Sequence, residues 1–176
     1  MKGRLRSFVL NIEITVGDIT KVNVDAIVNA ANTALRGGGG VDGAIHRAAG
    51  GQLIYELIER YPDGMHVGDA VVTFGYELPA MYVIHTVGPH YMNVGIDHEA
   101  LLESCYRRCL EEADKLGLHS IAFPAISTGV YLYPLRDATR VALRTIREFE
   151  PESLERAELV FFKSEDAEIA RELMNY

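Results

Sequence analysis

The sequence predicts an α/β fold with helices covering both faces of a mixed sheet. Short apolar or β-branched runs alternate with amphipathic stretches longer than one helical turn, as expected when helices cover a sheet from both sides. Two of the runs, residues 69–74 and 82–87, are separated only by a turn at Leu78-Pro79-Ala80. That connection is too short for a parallel crossover, so the sheet must be mixed. At 176 residues and 48% hydrophobic content, the chain can fill one core, and residues 1–176 are expected to form one domain.

Residues 8–16 alternate in part and read as the first strand, followed by a turn at Gly17-Asp18-Ile19-Thr20 and a second strand over 24–28. Helical spacing occupies about 42–49 and 52–61, and Pro62-Asp63-Gly64 stops it. After the paired strands, residues 98–116 repeat apolar side chains at Leu102, Cys105, Cys109, Ala113 and Leu116, a helix face closed by Gly117. A short buried strand follows at 120–123. Pro134 suits the first turn of a helix with Leu135, Ala138, Val141, Ala142, Ile146 and Phe149 on one side. Residues 159–162 read as the last strand and 167–174 as a closing helix.

Composition excludes several classes. A net charge of -8 with scattered lysines and arginines leaves no electrostatic footprint for nucleic acid. Lys2, Arg4 and Arg6 precede an apolar run, Phe8-Val9-Leu10, too short for a secretory signal, and no stretch could span a bilayer; no membrane partner and a cytoplasmic location are expected. Cys105 and Cys109 read as small buried hydrophobes on one helix face, not as a disulfide framework. No Cys/His set has zinc spacing, so no metal and no cofactor are expected.

The stretch that demands a function is Asn29 to Gly51, with four consecutive glycines at Gly37, Gly38, Gly39 and Gly40. Glycine loses more backbone freedom on folding than any other residue, so such a run is expected where something approaches the backbone closely. An anion fits best, because a helix begins close by and its first N–H groups are unpaired. Gly38-x-Gly40-x-x-Gly43 matches the dinucleotide fingerprint literally, but Asn29 to Arg36 separates it from the strand and the next segment is helical. A Walker loop fails because no Gly-Lys-Ser/Thr follows. Ser127 lacks the Gly-x-Ser-x-Gly elbow of a serine hydrolase. A phosphate cradle of another kind remains, with residues 126–134 as a second loop between a strand and a helix.

Five segments in order, Gly17-Asp18-Ile19-Thr20, Val28-Asn29-Ala30-Ala31-Asn32, Gly37 to Gly51, Val83-Ile84-His85-Thr86-Val87-Gly88-Pro89 and Pro124 to Tyr131, resemble the successive signatures of the macro domain. They span about residues 14–162. The glycine run continuing into Val41-Asp42-Gly43-Ala44-Ile45-His46-Arg47 is most similar to the MacroD-type hydrolases, a branch that includes O-acetyl-ADP-ribose deacetylases.

The resemblance implies a three-layer α/β/α macro domain that binds ADP-ribose. Asp18 would accept a hydrogen bond from the adenine amino group with the Ile19 backbone beside it, and Phe162 would wall the base. The diphosphate would lie between Gly39, Gly40, Val41 and the loop Ser127, Thr128, Gly129, Val130, Tyr131, with Tyr131 packed on the distal ribose. Asn32 and Asp42 would face that ribose, Asn32 holding hydroxyls and Asp42, helped by a substrate phosphate oxygen, orienting the attacking water. The expected partners are ADP-ribose, its esters and ADP-ribosylated proteins, met by a monomer; the expected reaction is metal-independent hydrolysis of ADP-ribosyl esters. A reader that cleaves nothing and a phosphatase acting on ADP-ribose 1''-phosphate remain open.

Each residue also has a plainer reading. Asp18 could only support its turn, Tyr131 be a half-buried aromatic, Asp42 favour a helix start and His85 be a satisfied core histidine. His46, one turn after Asp42, can reach the same loop. The chain departs from the family pattern at Leu132, where glycine is usual, and at Arg36, which either contacts a phosphate or is solvated.

Overall fold

A computed structural model of the chain describes residues 9–176. Phe8, at the start of the first expected strand, and Lys2, Arg4 and Arg6 lie outside the described residues. The elements are β1 (Asn11–Val16), a 3-10 turn (Ile19–Lys21), β2 (Ala26–Ala30), α1 (Gly40–Ala49), α2 (Gln52–Arg60), β3 (Ala70–Phe74), β4 (Tyr82–Thr86), α3 (His98–Lys115), β5 (Ser120–Phe123), α4 (Leu135–Glu148), β6 (Arg156–Phe161) and α5 (Ser164–Met174).

The six strands form one sheet in the order β1-β6-β5-β2-β4-β3. All neighbours are parallel except β3 and β4, which are antiparallel, so the sheet is mixed as expected from the tight connection. Alternation along the strands divides the core into two layers. Ala26, Val28, Ile84, Ile121, Phe123, Ala157 and Leu159 face the side covered by α3, α4 and α5. Ile27, Val83, Ala122 and Val160 face the side where α1 and α2 bury Ile45, Ala49, Leu53 and Leu57. The result is helices, sheet, helices.

Several boundaries differ from expectation for local reasons. Helix α1 begins at Gly40 instead of Asp42, because glycine's poor propensity matters little in a first turn fixed by the loop before it. Strand β2 lies two residues later than expected: Asn29 and Ala30 pair with His85 and Thr86, so strand pairing overrides the loop character of Asn29. Strand β6 starts at Arg156 and ends at Phe161, which leaves Phe162 beyond the sheet. Gly117, at φ +73°, ends α3 in the left-handed region that glycine accommodates.

The topology decides where a ligand can go. Strands β1, β6, β5, β2 and β4 all run the same way, so their carboxyl ends and following loops gather at one edge, the usual binding crevice of such sheets.

Candidate functional site

A cleft of about 490 Å³ opens at that edge, within the size range of small-molecule sites. Each parallel strand contributes to it: Gly17 and Ile19 after β1, Ala30 at the end of β2 with Ala31, Asn32 and Gly38 to Asp42 after it, Gly88 after β4, Pro124, Ala125 and Ser127 to Tyr131 after β5, and Val160 to Phe162 at the end of β6.

At one end of the cleft, Asp42 sits in the first turn of α1 and is buried. Asn29 of β2 donates from Nδ2 to Asp42 Oδ1 at 2.8 Å, and His46 Nε2 lies 3.3 Å from the same oxygen. The second Asn29 hydrogen points to His85 Nδ1 at 3.1 Å, and His85 Nε2 is 2.9 Å from Thr73 Oγ1. Complete burial, with the nearby His46 as a smaller influence, pushes His85 down to about 3, so its ring is neutral at physiological pH. Because Asn29 Nδ2 can only donate, His85 Nδ1 accepts and its proton resides on Nε2. His85 is therefore the satisfied core histidine of the plainer reading, and it also fixes Asn29, which in turn fixes Asp42.

The glycine loop folds onto this group. Asn32 donates from Nδ2 to Gly37 O at 2.9 Å, while its buried Oδ1 has no partner among the described residues. A side chain at Gly43 would meet Gly38 O at 2.6 Å, so only glycine lets the loop lie against the first turn of α1. The N-cap of that helix is Gly39, which offers no side chain to its open amides. Arg36, by contrast, donates to Leu35 O at 3.2 Å and Pro62 O at 3.0 Å and takes no part in lining the cleft.

The second loop is shaped by the residues that follow β4. A Cβ on Gly88 would come within 2.1 Å of Ser127 Oγ, so this glycine admits the turn at Ile126-Ser127. Ser127 has φ +67°, and its buried Oγ has no partner among the described residues. Thr128 turns inward to Ala125 O at 2.8 Å and Tyr133 N reaches Ser127 O at 2.9 Å. None of the amides of Gly129, Val130 and Tyr131 donates to another described residue. They line the cleft with Tyr131, which is half-buried.

At the other end, Asp18 caps the 3-10 turn, accepting at Oδ1 from Thr20 N at 2.9 Å and Thr20 Oγ1 at 2.7 Å. Those two bonds, the hydroxyl's first, hold its carboxyl below the usual range. The Asx role is thus real, and it leaves the other carboxylate oxygen free of bonds to described residues. Phe162 lies one residue beyond β6 with 84% of its surface exposed, on the rim and not in the core.

The expected residues other than Asp18 all line the cleft, and Asp18 is flanked by Gly17 and Ile19, which do. Sequence reasoning quoted Asn29 and Gly88 only as parts of longer segments and gave no role to either, nor to Val160 or Asp166. Asn29 carried a signal, a polar residue in a buried parallel strand; Asp166 in the first turn of α5 carried none.

A family model described as "Macro domain" matches residues 28–142. The chain belongs to the macro domain family. O-acetyl-ADP-ribose deacetylase 1 of Pantoea vagans is 46% identical over 168 residues, 93% of this chain and 98% of that protein. ADP-ribose glycohydrolase MACROD2 of Xenopus laevis is 51% identical over 147 residues, 83% of this chain and 35% of its own length. Among solved structures, an Oceanobacillus iheyensis macrodomain mutant with ADPR matches at TM-score 0.90 and 42% identity, covering 100% of this chain and 97% of that one. This macro domain therefore sits among MacroD-type relatives.

Proposed function

We propose that this macro domain binds ADP-ribose and hydrolyses ADP-ribosyl esters, those of modified Asp and Glu side chains and O-acetyl-ADP-ribose. The observation that carries the reading is a buried Asp42 pinned by Asn29 and His46, at the end of a cleft walled by free amides. Backbone N–H groups can hold a diphosphate without adding positive charge, which suits a chain of net charge -8.

The adenine amino group meets the free oxygen of Asp18 beside the Ile19 backbone, with Phe162 against the base. The diphosphate runs between Gly39-Gly40-Val41 and Ser127 to Tyr131. Asn32 Oδ1 and the Ser127 hydroxyl, both buried without partners among the described residues, find them in the ligand. The distal ribose packs on Tyr131 with its ester facing Asp42. Asn29 and His46 both bind Asp42 Oδ1, so Oδ2 is the atom left to orient water, with a phosphate oxygen of the substrate assisting. One water is consumed, the bond between ribose and carboxyl group breaks, and ADP-ribose, a carboxylate and a proton leave. No metal takes part in this proposal.

Titration calorimetry with ADP-ribose tests binding. Incubation with a protein ADP-ribosylated on Glu or Asp, with O-acetyl-ADP-ribose and with ADP-ribose 1''-phosphate then tests turnover. Release of ADP-ribose from the two carboxyl esters and not from the phosphate is expected; binding without release from any of them would make the protein a reader.

A further inference from the structure

Asp166, in the first turn of α5, is half-buried and lines the cleft, yet the proposed reaction gives it nothing to do. Its place is at the Asp18 end. Val16 pairs with Phe161 across β1 and β6, Gly17 N donates to Phe161 O at 2.9 Å, and Phe162 and Asp166 follow directly from that junction. Helix α5 packs on both strands, so the turn that carries Asp18 and the turn that carries Asp166 open onto the same end of the cleft.

An acid in the first turn of a helix is favoured by the helix dipole without any ligand. That accounts for the residue type and not for its direction. Glu165, the other acid of this turn, is exposed and does not line the cleft, whereas Asp166 does. Side-chain bonds along α5 run from Arg171 to Glu168 and from Arg136 to Glu172, and Asp166 has none with a described residue. Its carboxylate is therefore left to the cleft. No Lys or Arg among the described residues lines that cleft, and Lys163, three residues before Asp166, is exposed outside it.

We propose that Asp166 determines specificity at the adenosine end: its carboxylate accepts hydrogen bonds from the vicinal hydroxyls of the adenine-side ribose and rejects nucleotides that carry a phosphate on that sugar. The proposal rests on the functional reading above, which puts adenine beside Asp18 and Phe162 and so brings its ribose to this turn. A carboxylate only accepts, and a ribose hydroxyl can donate to it; a phosphate monoester in the same place offers acceptors and negative charge. Acidic side chains tell the two sugars apart in this way in dinucleotide-binding folds, where they hold the ribose 2'-hydroxyl. The first turn of α5 has open amides and no side-chain cap, an arrangement that would otherwise attract an anion, and Asp166 sets a fixed negative charge against them.

The test measures affinity by calorimetry for three ligands: ADP-ribose, its form phosphorylated at the adenosine 2'-hydroxyl, and its adenosine 2'-deoxy form. Wild type, Asp166→Asn and Asp166→Ala are compared. Asparagine keeps the shape and removes the charge, and both variants should fold, because the residue is half-buried and bonded to no described neighbour. The wild type should bind the 2'-phosphorylated ligand about 30-fold more weakly than ADP-ribose at low salt, a gap that narrows as salt is added, and the deoxy ligand about tenfold more weakly. In Asp166→Asn the gap for the 2'-phosphorylated ligand should shrink to about threefold, and in Asp166→Ala the deoxy ligand and ADP-ribose should bind alike. A wild type that binds ADP-ribose and its 2'-phosphorylated form equally, or variants that keep the whole gap, would overturn the assignment. So would an equal loss for all three ligands in both variants, the mark of a merely structural residue. A wild type that does not bind ADP-ribose at all would instead refute the functional reading, and the assignment with it.

Discussion

At one end of the cleft Asp42 is buried and held by side chains from two other positions, Asn29 and His46, with His85 and Thr73 behind them; at the other, Thr20 alone among the described residues holds Asp18, and Phe162 stands largely in solvent. The first end is a network spanning β2, β3, β4 and α1, in which each member is bonded to another. The second is a local turn and a rim. A group that must orient water within a fraction of an ångström needs a rigid support, while a flat base needs one polar contact and an apolar wall. On the proposed function, the cleft pairs a reactive end with a recognition end.

The contrast makes predictions that can be ranked. Asp42→Ala should lower single-turnover hydrolysis of an ADP-ribosylated protein by about 10²–10³-fold, with ADP-ribose affinity changed only a few-fold. Equal losses in both would assign Asp42 to binding. Asp18→Ala should do the reverse, weakening every adenosine ligand by about 10- to 100-fold in calorimetry while single-turnover rates at saturation stay near wild type.

Asn29→Ala tests the network itself. It leaves His85 and Asp42 short of a donor in the core, so turnover should fall about tenfold and stability by about 1–3 kcal/mol, seen as a lower melting temperature. In a double-mutant cycle with Asp42→Ala the turnover losses should be strongly non-additive, whereas Phe162→Ala, worth about 0.5–1.5 kcal/mol of ligand affinity, should add to Asp42→Ala.

The smallest effect at neutral pH concerns His85. Its folded pKa of about 3 lies below the ordinary 6.5, so the unfolded chain binds the extra proton between those values. The stability tied to a neutral His85 is complete above about pH 6.5 and falls by up to about 1.4 kcal/mol per unit as the pH drops toward 3. Urea unfolding at pH 7, 6 and 5 should show His85→Gln losing less stability across this range than the wild type.

The sequence by itself determined a good deal. The mixed sheet followed from one short connection, the two loops from glycine and polar runs placed after buried strands, and the role expected of Asp42 from the resemblance of the run that begins at the glycines. These features are local, and spacing along the chain records them. Phe162 shows the limit: its exposure depends on β6 ending one residue earlier than its apolar run does.

Only the tertiary structure decided which atoms meet. Asn29, Thr73 and His85 lie on three strands that the sheet order brings side by side, and nothing in their spacing reveals that they form one chain of hydrogen bonds ending on Asp42. Gly88 matters because it packs directly against Ser127, nearly forty residues away in the chain. Hydrogen bonds and close approaches act over about 3 Å whatever the sequence separation, so strand order and register, not the order of residues, select the partners.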